Sequence, residues 1–372
     1  MLRRGPALPV TTSTLVSEDA LANMPDDASV RVAHADLPGL TWLLDTPPRG
    51  YVVDRLRLKP GASVTAGLRP EVSGAPWLLV QAYAPEPWAD KRAKVSKSAR
   101  RTGHDVTVHA DERVLVVGAA SDRRLPMLAG LRPDTGEPVR VGHVLGTATT
   151  LSYNPNRRWV GRIDTPGGER ILARMHAAGH AGAGGLDDTT ASPVSMHPWL
   201  PGSPWCPGDP LPALPGIVAT TAPRYAWNVP RALAAAADGV AAVHAPWGRL
   251  ARTLAAQLGR RLADVPTAPA YGDLSPEQVI VDGRSAHILD WDRAGDWPLG
   301  WDAASWTASA IADGRDPASC TADLQALGLT EPDPVVLAAA ALLRAPEPFR
   351  RRRSHWSEHT RDLLACALGA SS

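Results

Sequence analysis

The stretch from Tyr271 to Ala304, YGDLSPEQVIVDGRSAHILDWDRAGDWPLGWDAA, gathers oxygen-bearing side chains at spacings that can converge. Asp273 stands in a turn, Gln278 opens a short apolar strand and Asp290 ends the next one. A hairpin turning at Asp282-Gly283, a favourable two-residue turn, brings Gln278 and Asp290 to the same mouth. An amide carbonyl and carboxylates are hard oxygen donors, and magnesium is held in proteins by one or two carboxylates together with substrate phosphates. Asp273 is then a third acid, placed to orient a hydroxyl for attack.

The same stretch resembles the aminoglycoside phosphotransferase and choline kinase family, relatives of protein kinases. That family's pattern runs H-G-D-L-x-x-x-N, a short hairpin, I-D-W/F-D/E, and a further aspartate downstream. Here it stands as Tyr271-Gly272-Asp273-Leu274 with Gln278, then Ile288-Leu289-Asp290-Trp291-Asp292, then Trp301-Asp302-Ala303-Ala304. The resemblance implies Asp273 as catalytic base or hydroxyl-orienting residue, Gln278 and Asp290 as magnesium ligands, and Asp302 as a buried acid bracing the catalytic loop. Ser195 to Gly202, SMHPWLPG, resembles the family's hinge, which implies Met196 and Trp199 beside a nucleotide. Tyr153-Asn154-Pro155-Asn156-Arg157-Arg158 falls where a turn covers the phosphates, although it contains no glycine. Arg157 and Arg158 are charge-assisted phosphate donors on that reading and a solvated turn on the plainer one. The implied cofactors are ATP or GTP and magnesium. The resemblance spans roughly residues 145–310.

Three positions depart from the family pattern. Arg174 stands where a strand lysine pairs the α- and β-phosphates, and no lysine follows Lys97. Arginine keeps the charge on a planar, longer side chain, so the exchange is not conservative. Gln278 replaces an asparagine with a stem one methylene longer, and Tyr271 replaces a structural histidine. No glutamate occurs between Glu169 and Glu277, so the helix glutamate that partners the lysine is missing. Two functional readings follow. One is an ATP-dependent O-phosphotransferase acting on a hydroxyl of a small molecule, natural product or peptide. The other is a pseudokinase that binds a peptide, nucleotide or partner protein without transferring phosphate.

The elements that must position these residues are legible in outline. From Tyr51 the texture is strand-like, then helical over 88–101, then strand-like again, a β-β-α-β-β pattern. LRLKPGASVTAGLR (56–69) resembles LSYNPNRRWVGRI (151–163), each with a Pro-centred turn and each followed by another strand. This points to a duplicated sheet unit or to two similar hairpins. From about Pro230 Ala- and Leu-rich segments favour helix, with VVLAAAALLRA as the clearest buried one. The expected fold is α+β and, by the resemblance, a bilobal protein-kinase-like one. A small β-rich lobe and a mainly helical large lobe are expected, with an extra N-terminal β-rich unit. The expected divisions are an N-terminal α+β unit (1–143), a reduced nucleotide-lobe hairpin with hinge (144–198) and a helical lobe with catalytic and metal loops (199–372). The N-terminal unit is expected to pack beside the reduced lobe and supply its missing bulk.

Composition removes several classes. The 372 residues suggest two or three domains. Lys+Arg 39 against Asp+Glu 38 leaves a net charge of +1, which is no polyanion-binding balance. Arg350-Arg351-Arg352-Arg353 and the basic segment 88–101 are the only nucleic-acid signals, and such charge runs are usually solvated faces. Cys206, Cys320 and Cys366 lack metal-ligand or disulfide spacing. With no apolar run long enough for a membrane helix and no secretory signal, the expected location is the cytoplasm. Trp291, Trp297, Trp301 and Trp306 read as core packing, with ligand stacking as the alternative.

Overall fold

The computed structural model describes residues 21–45, 47–177, 194–212, 225–226, 228–283, 285–289 and 293–369. Two short helices, α1 (Asp27–Ala33) and α2 (Pro38–Asp45), precede a first five-stranded sheet. Its strands are β1 (Tyr51–Lys59), β2 (Ser63–Pro70), β3 (Leu78–Tyr83), β4 (Val106–His109) and β5 (Val114–Gly118), with helix α3 (Pro85–Thr102) between β3 and β4. They pair antiparallel in the order β1-β2-β3-β5-β4. A single turn of helix, α4 (Leu128–Leu131), leads to a second antiparallel sheet. This one holds β6 (Pro138–Val141), β7 (Val144–Asn154), β8 (Arg158–Asp164), β9 (Arg170–His176) and β10 (Val194–Pro198), in the order β10-β9-β8-β7-β6.

The rest is mainly helical. Short strands β11 (Ser203–Pro204) and β12 (Tyr225–Ala226) precede helices α5 (Val229–Ala241) and α6 (Ala245–Arg261). Strands β13 (Thr267–Ala270), β14 (Val279–Asp282), β15 (Ser285–Ile288) and β16 (Gly295–Pro298) follow. Helices α7 (Trp301–Ala312), α8 (Thr321–Ala326), α9 (Pro334–Arg344), α10 (Glu347–Arg350) and α11 (Trp356–Gly369) complete the described chain. None of the described helices is long and apolar enough to cross a membrane.

The first sheet contains one strand more than the expected β-β-α-β-β pattern. Residues 51–70 form a complete hairpin, because Pro60 fixes one backbone angle of the turn and Gly61 takes the left-handed one (φ +63°). The Gly74 and Pro76 region joins β2 to its antiparallel partner β3, so a second hairpin turns there. The same device recurs at β7–β8, where Pro155 precedes a left-handed Asn156 (φ +61°). In each sheet the hairpin is followed directly by its pairing neighbour, β3 or β9.

Strand alternation divides the first sheet into two working faces. One face, with Leu56, Val64, Ala66, Leu68, Val80 and Val116, shares a core with Leu40 and Leu43 of α2 and with Val243, Phe349 and Trp356 of the helical region. The other face, with Leu79, Leu115 and Val117, shares a core with Tyr153, Trp159, Ile163, Ala173 and Met175 of the second sheet. The two sheets are therefore packed together through one apolar layer. Asp122 locks this contact. It is buried and accepts hydrogen bonds from the Tyr153 hydroxyl (2.8 Å), the Asn156 N–H (2.7 Å) and the Arg124 N–H (2.9 Å). Three donors on one carboxylate meet the requirement that a buried polar group be hydrogen-bonded.

The helical core is built on α5, α6, α7, α9 and α11. Trp297 and Trp301 stack at 4.6 Å within it, and Trp306 is fully buried, so these three are packing residues. Trp291 lies outside the described residues. The arginine run is mostly consumed internally: Arg351 binds Glu277, Arg352 binds Asp27 and Arg353 binds Asp313. The three cysteines are free thiols.

Candidate active site

The loop carrying Asp273 is fixed from below by α7. Asp302, in the first turn of that helix, accepts the Tyr271 N–H at Oδ2 (2.9 Å) and the Gly272 N–H at Oδ1 (3.0 Å). Trp301 donates its indole N–H to the Gly272 carbonyl (3.0 Å). Gly272 has φ +80°, and a Cβ there would lie 2.2 Å from Trp297 Nε1 and 2.4 Å from the Arg293 carbonyl, so only glycine fits. Burial raises the Asp302 carboxyl to about 6, with the charge of Asp273 pushing the same way and the two backbone donors pulling back. Burial likewise raises the Tyr271 phenol to about 12. Tyr271 is buried with Trp205, Leu274 and Ile288, a packing position.

Asp273 itself is held by two arginines. Arg344 Nη2 donates to Oδ1 at 2.8 Å, and Arg293 Nη1 lies 3.2 Å from Oδ2. These partners differ in exposure. The Arg344 side chain is 8% accessible and that of Arg293 44%. Arg344 also donates to Ser305 Oγ and Glu347 Oε2, both at 3.2 Å. Burial opposes its charge, but Asp273 and Glu347 outweigh burial and raise its pKa. Glu347 is likewise buried against its charge, yet Arg344 and Arg351 hold it at about 2. Arg351 in turn grips Glu277 through both guanidinium arms, Nη2 to Oε1 at 2.6 Å. This pair outweighs burial and lowers the Glu277 carboxyl.

Strands β14 and β15 form the expected hairpin, but Asp282 is itself paired, opposite Ser285, with Val279 opposite Ile288, so the chain turns one residue later than Asp282-Gly283. One step further, the Leu289 N–H donates to the Gln278 carbonyl at 2.9 Å. Gln278 therefore sits across from the residue preceding Asp290. Asp290, Trp291 and Asp292 lie outside the described residues. The Gln278 side-chain oxygen, Oε1, is buried without a hydrogen-bond partner among the described residues. A buried amide oxygen in that condition suits a ligand that supplies positive charge. No group of three or more His, Cys, Asp or Glu side chains gathers as a metal site among the described residues.

Arg174 reaches this hairpin from the second sheet. It lies on β9, and its Nη2 donates to the Leu289 carbonyl. Its strand neighbours Ala173 and Met175 point into the core between the sheets, so alternation aims Arg174 at the opposite side. Met196, on β10, pairs with Ala173, and Trp199 follows the strand with the Arg162 guanidinium 5.8 Å over its ring. Arg158 opens β8 opposite Asn154 and His176. Arg157 is exposed at the turn, and burial together with the charge of Arg293 lowers its pKa. The turn leans on the first sheet: Pro155 is buried, and a Cβ on Gly67 would be 3.1 Å from its Cδ.

Tyr271, Asp273 and Asp302 thus share one braced loop, while Gln278, Leu289 and Arg174 share one hairpin mouth. Arg344, Arg293 and Glu347 escaped the sequence reading. Arg344 had a signal, since it is the only charge in the otherwise apolar PVVLAAAALLR of α9.

No family model matches the chain, and no curated protein matches it. Among solved structures the chain is similar to an ethanolamine kinase of Plasmodium vivax, at 9% identity over 60% of this chain and 82% of that one, with a TM-score of 0.39. It is similar to choline kinase LicA from Streptococcus pneumoniae at 10% identity, over 60% and 93% of the two chains, with a TM-score of 0.41. A macrolide 2'-phosphotransferase, MphH from Brachybacterium faecium, shows 17% identity over 59% and 91%, with a TM-score of 0.28.

Proposed function

We propose that the chain is an O-phosphotransferase of the aminoglycoside phosphotransferase-like kind, using ATP or GTP with magnesium on a hydroxyl of a small molecule, natural product or peptide. In this reading the two sheets make up the small lobe of a bilobal, kinase-like layout and residues 199–372 the large one. The observation that carries it is the contact of Arg174 with the Leu289 carbonyl. It ties a strand cation to the hairpin that presents Gln278 and runs into Asp290.

Each residue then has a defined task. Arg174 offers positive charge to nucleotide phosphates, with Met196 and Trp199 lining the nucleotide's edge and Arg157 and Arg158 approaching from the turn. Gln278 and Asp290 would hold magnesium, which when bound neutralises charge on the transferred phosphoryl group. Asp302 keeps the loop in register through two backbone bonds. Arg344 fixes Asp273 from the buried side. An acceptor hydroxyl reaches Oδ2 by displacing the more exposed Arg293, and Asp273 then orients it and takes its proton.

The test is a thermal shift with ATP and magnesium, read beside product formation by mass spectrometry. The wild type is expected to be stabilised, Asp290→Ala to lose the response, and Asp273→Asn to keep it while losing transfer. One observation favours the non-transferring alternative: both Asp273 oxygens are already occupied by arginines. Under that reading Asp273→Asn would leave every ligand response unchanged, and no product would form with any acceptor.

A further inference from the structure

Around the active site, charge is distributed unevenly. Arg344, Arg351 and Arg293 each face a carboxylate. Arg57, Arg157 and Arg350 form no ion pair among the described residues, and Arg350 is the one member of the 350–353 run left so. All three come to one edge of the first sheet. Leu56 is fully buried on one face of β1, so Arg55 and Arg57 take the other. Register places Arg57 opposite Thr65 and Arg55 opposite Gly67. Gly67 is the residue on which Pro155 rests, so the turn carrying Arg157 lies over this same face. Helix α10, which ends in Arg350, packs against β1 from the helical side.

We propose that Arg57, Arg157 and Arg350, with the Thr65 hydroxyl beneath them, form a binding site for a phosphate group of a ligand. The electrostatics agree with this geometry. Burial, with the charges of Arg157 and Arg350 acting in the same direction, lowers the Arg57 guanidinium to about 10. Arg350 is lowered by burial and again by Arg157 and Arg55, against a partial pull from Glu347. Cations that repel one another, two of them half-buried, are unfavourable until an anion enters, and planar guanidinium groups match phosphate oxygens in pairs. The site takes a phosphate whether or not the chain transfers one. The phosphate could belong to the nucleotide or to a phosphorylated acceptor.

The experiment is calorimetric titration of the full chain with inorganic phosphate, pyrophosphate and Mg-ATP, for the wild type, Arg57→Gln and Arg350→Gln. The wild type is expected to bind phosphate or pyrophosphate, and each variant to bind about tenfold more weakly, the loss of one charged hydrogen-bonding partner. Without ligand, both variants are expected to melt at or above the wild-type temperature, because repulsion has been relieved; a scaffold role would lower it. A parallel loss for Mg-ATP assigns the site to the nucleotide. Unchanged Mg-ATP binding with weakened phosphate binding assigns it to the acceptor. Phosphate binding without any phosphoryl transfer would sink the proposed activity and leave this site standing. Absence of a phosphate or pyrophosphate response at millimolar concentration, or wild-type affinity in both variants, overturns it.

Discussion

The two sheets are built alike and do different work. Each opens with a Pro-turned hairpin and pairs it directly to the next strand. In the first sheet the turn at Pro60 is exposed, both broad faces are buried in apolar cores, and the strand after the hairpin carries Gln81. In the second sheet the turn is pressed onto its neighbour through Pro155, and the corresponding strand sends Arg174 to the hairpin of the candidate site. On the proposed function, the first sheet supplies bulk and the second, backed by it, spares a face for chemistry. On that reading, a lobe with no helix glutamate in its sequence would still hold its strand cation in place. The apolar layer shared by the sheets and the three donors on Asp122 provide the rigidity.

The largest expected break in this contrast is Arg174→Ala. Loss of a preorganised donor to the reacting phosphates should lower turnover about 10²- to 10³-fold, with the melting temperature nearly unchanged, as steady-state kinetics and calorimetry would show. Asp122→Ala should do the reverse. It strands the Tyr153 hydroxyl and two backbone N–H groups, and chemical denaturation should show a loss of about 2–4 kcal/mol. If the Asp122 variant were as stable as the wild type, the second sheet would not need the first.

Smaller effects appear in pH dependence. The Asp302 carboxyl is raised by burial from 3.8 to about 6, so the folded chain binds its proton more tightly than the unfolded chain. Stability from this group is therefore greatest below about pH 4 and falls as pH rises to about 6, by about 3 kcal/mol. Asp302→Asn should lack that slope, so the difference between the two denaturation series should reproduce it. Glu347 has the opposite sign. Its carboxyl is lowered from 4.5 to about 2, so its contribution is complete above pH 4.5 and disappears as pH falls towards 2. Glu347→Gln should remove that acid sensitivity, and an unchanged acid limb would show that Arg344 does not depend on Glu347.

The hairpin of the candidate site was legible because Asp282-Gly283 separates two short apolar strands, but its register was not, since Asp282 pairs with Ser285 and the shift sets Gln278 across from Leu289. The brace at Asp302 was legible only through resemblance, since nothing local says that a helix's first-turn acid will accept N–H groups some thirty residues upstream. The hairpin over 51–70 was blurred because Pro60-Gly61 lies inside a continuous run of strand-forming residues. The Arg344 clamp on Asp273 was hidden for a different reason. The two residues are separated by 71 positions, and the pattern of α9 announces burial without saying which acid its terminal arginine will meet.

The most direct measurement is calorimetric titration of magnesium with ATP into the wild type, Gln278→Ala and Arg174→Ala. Saturable binding that requires magnesium in the wild type and weakens in both variants, each still folded, is the expected result. No binding at millimolar nucleotide, or equal affinity in all three proteins, would show that the strand cation and the hairpin oxygen do not serve one nucleotide site.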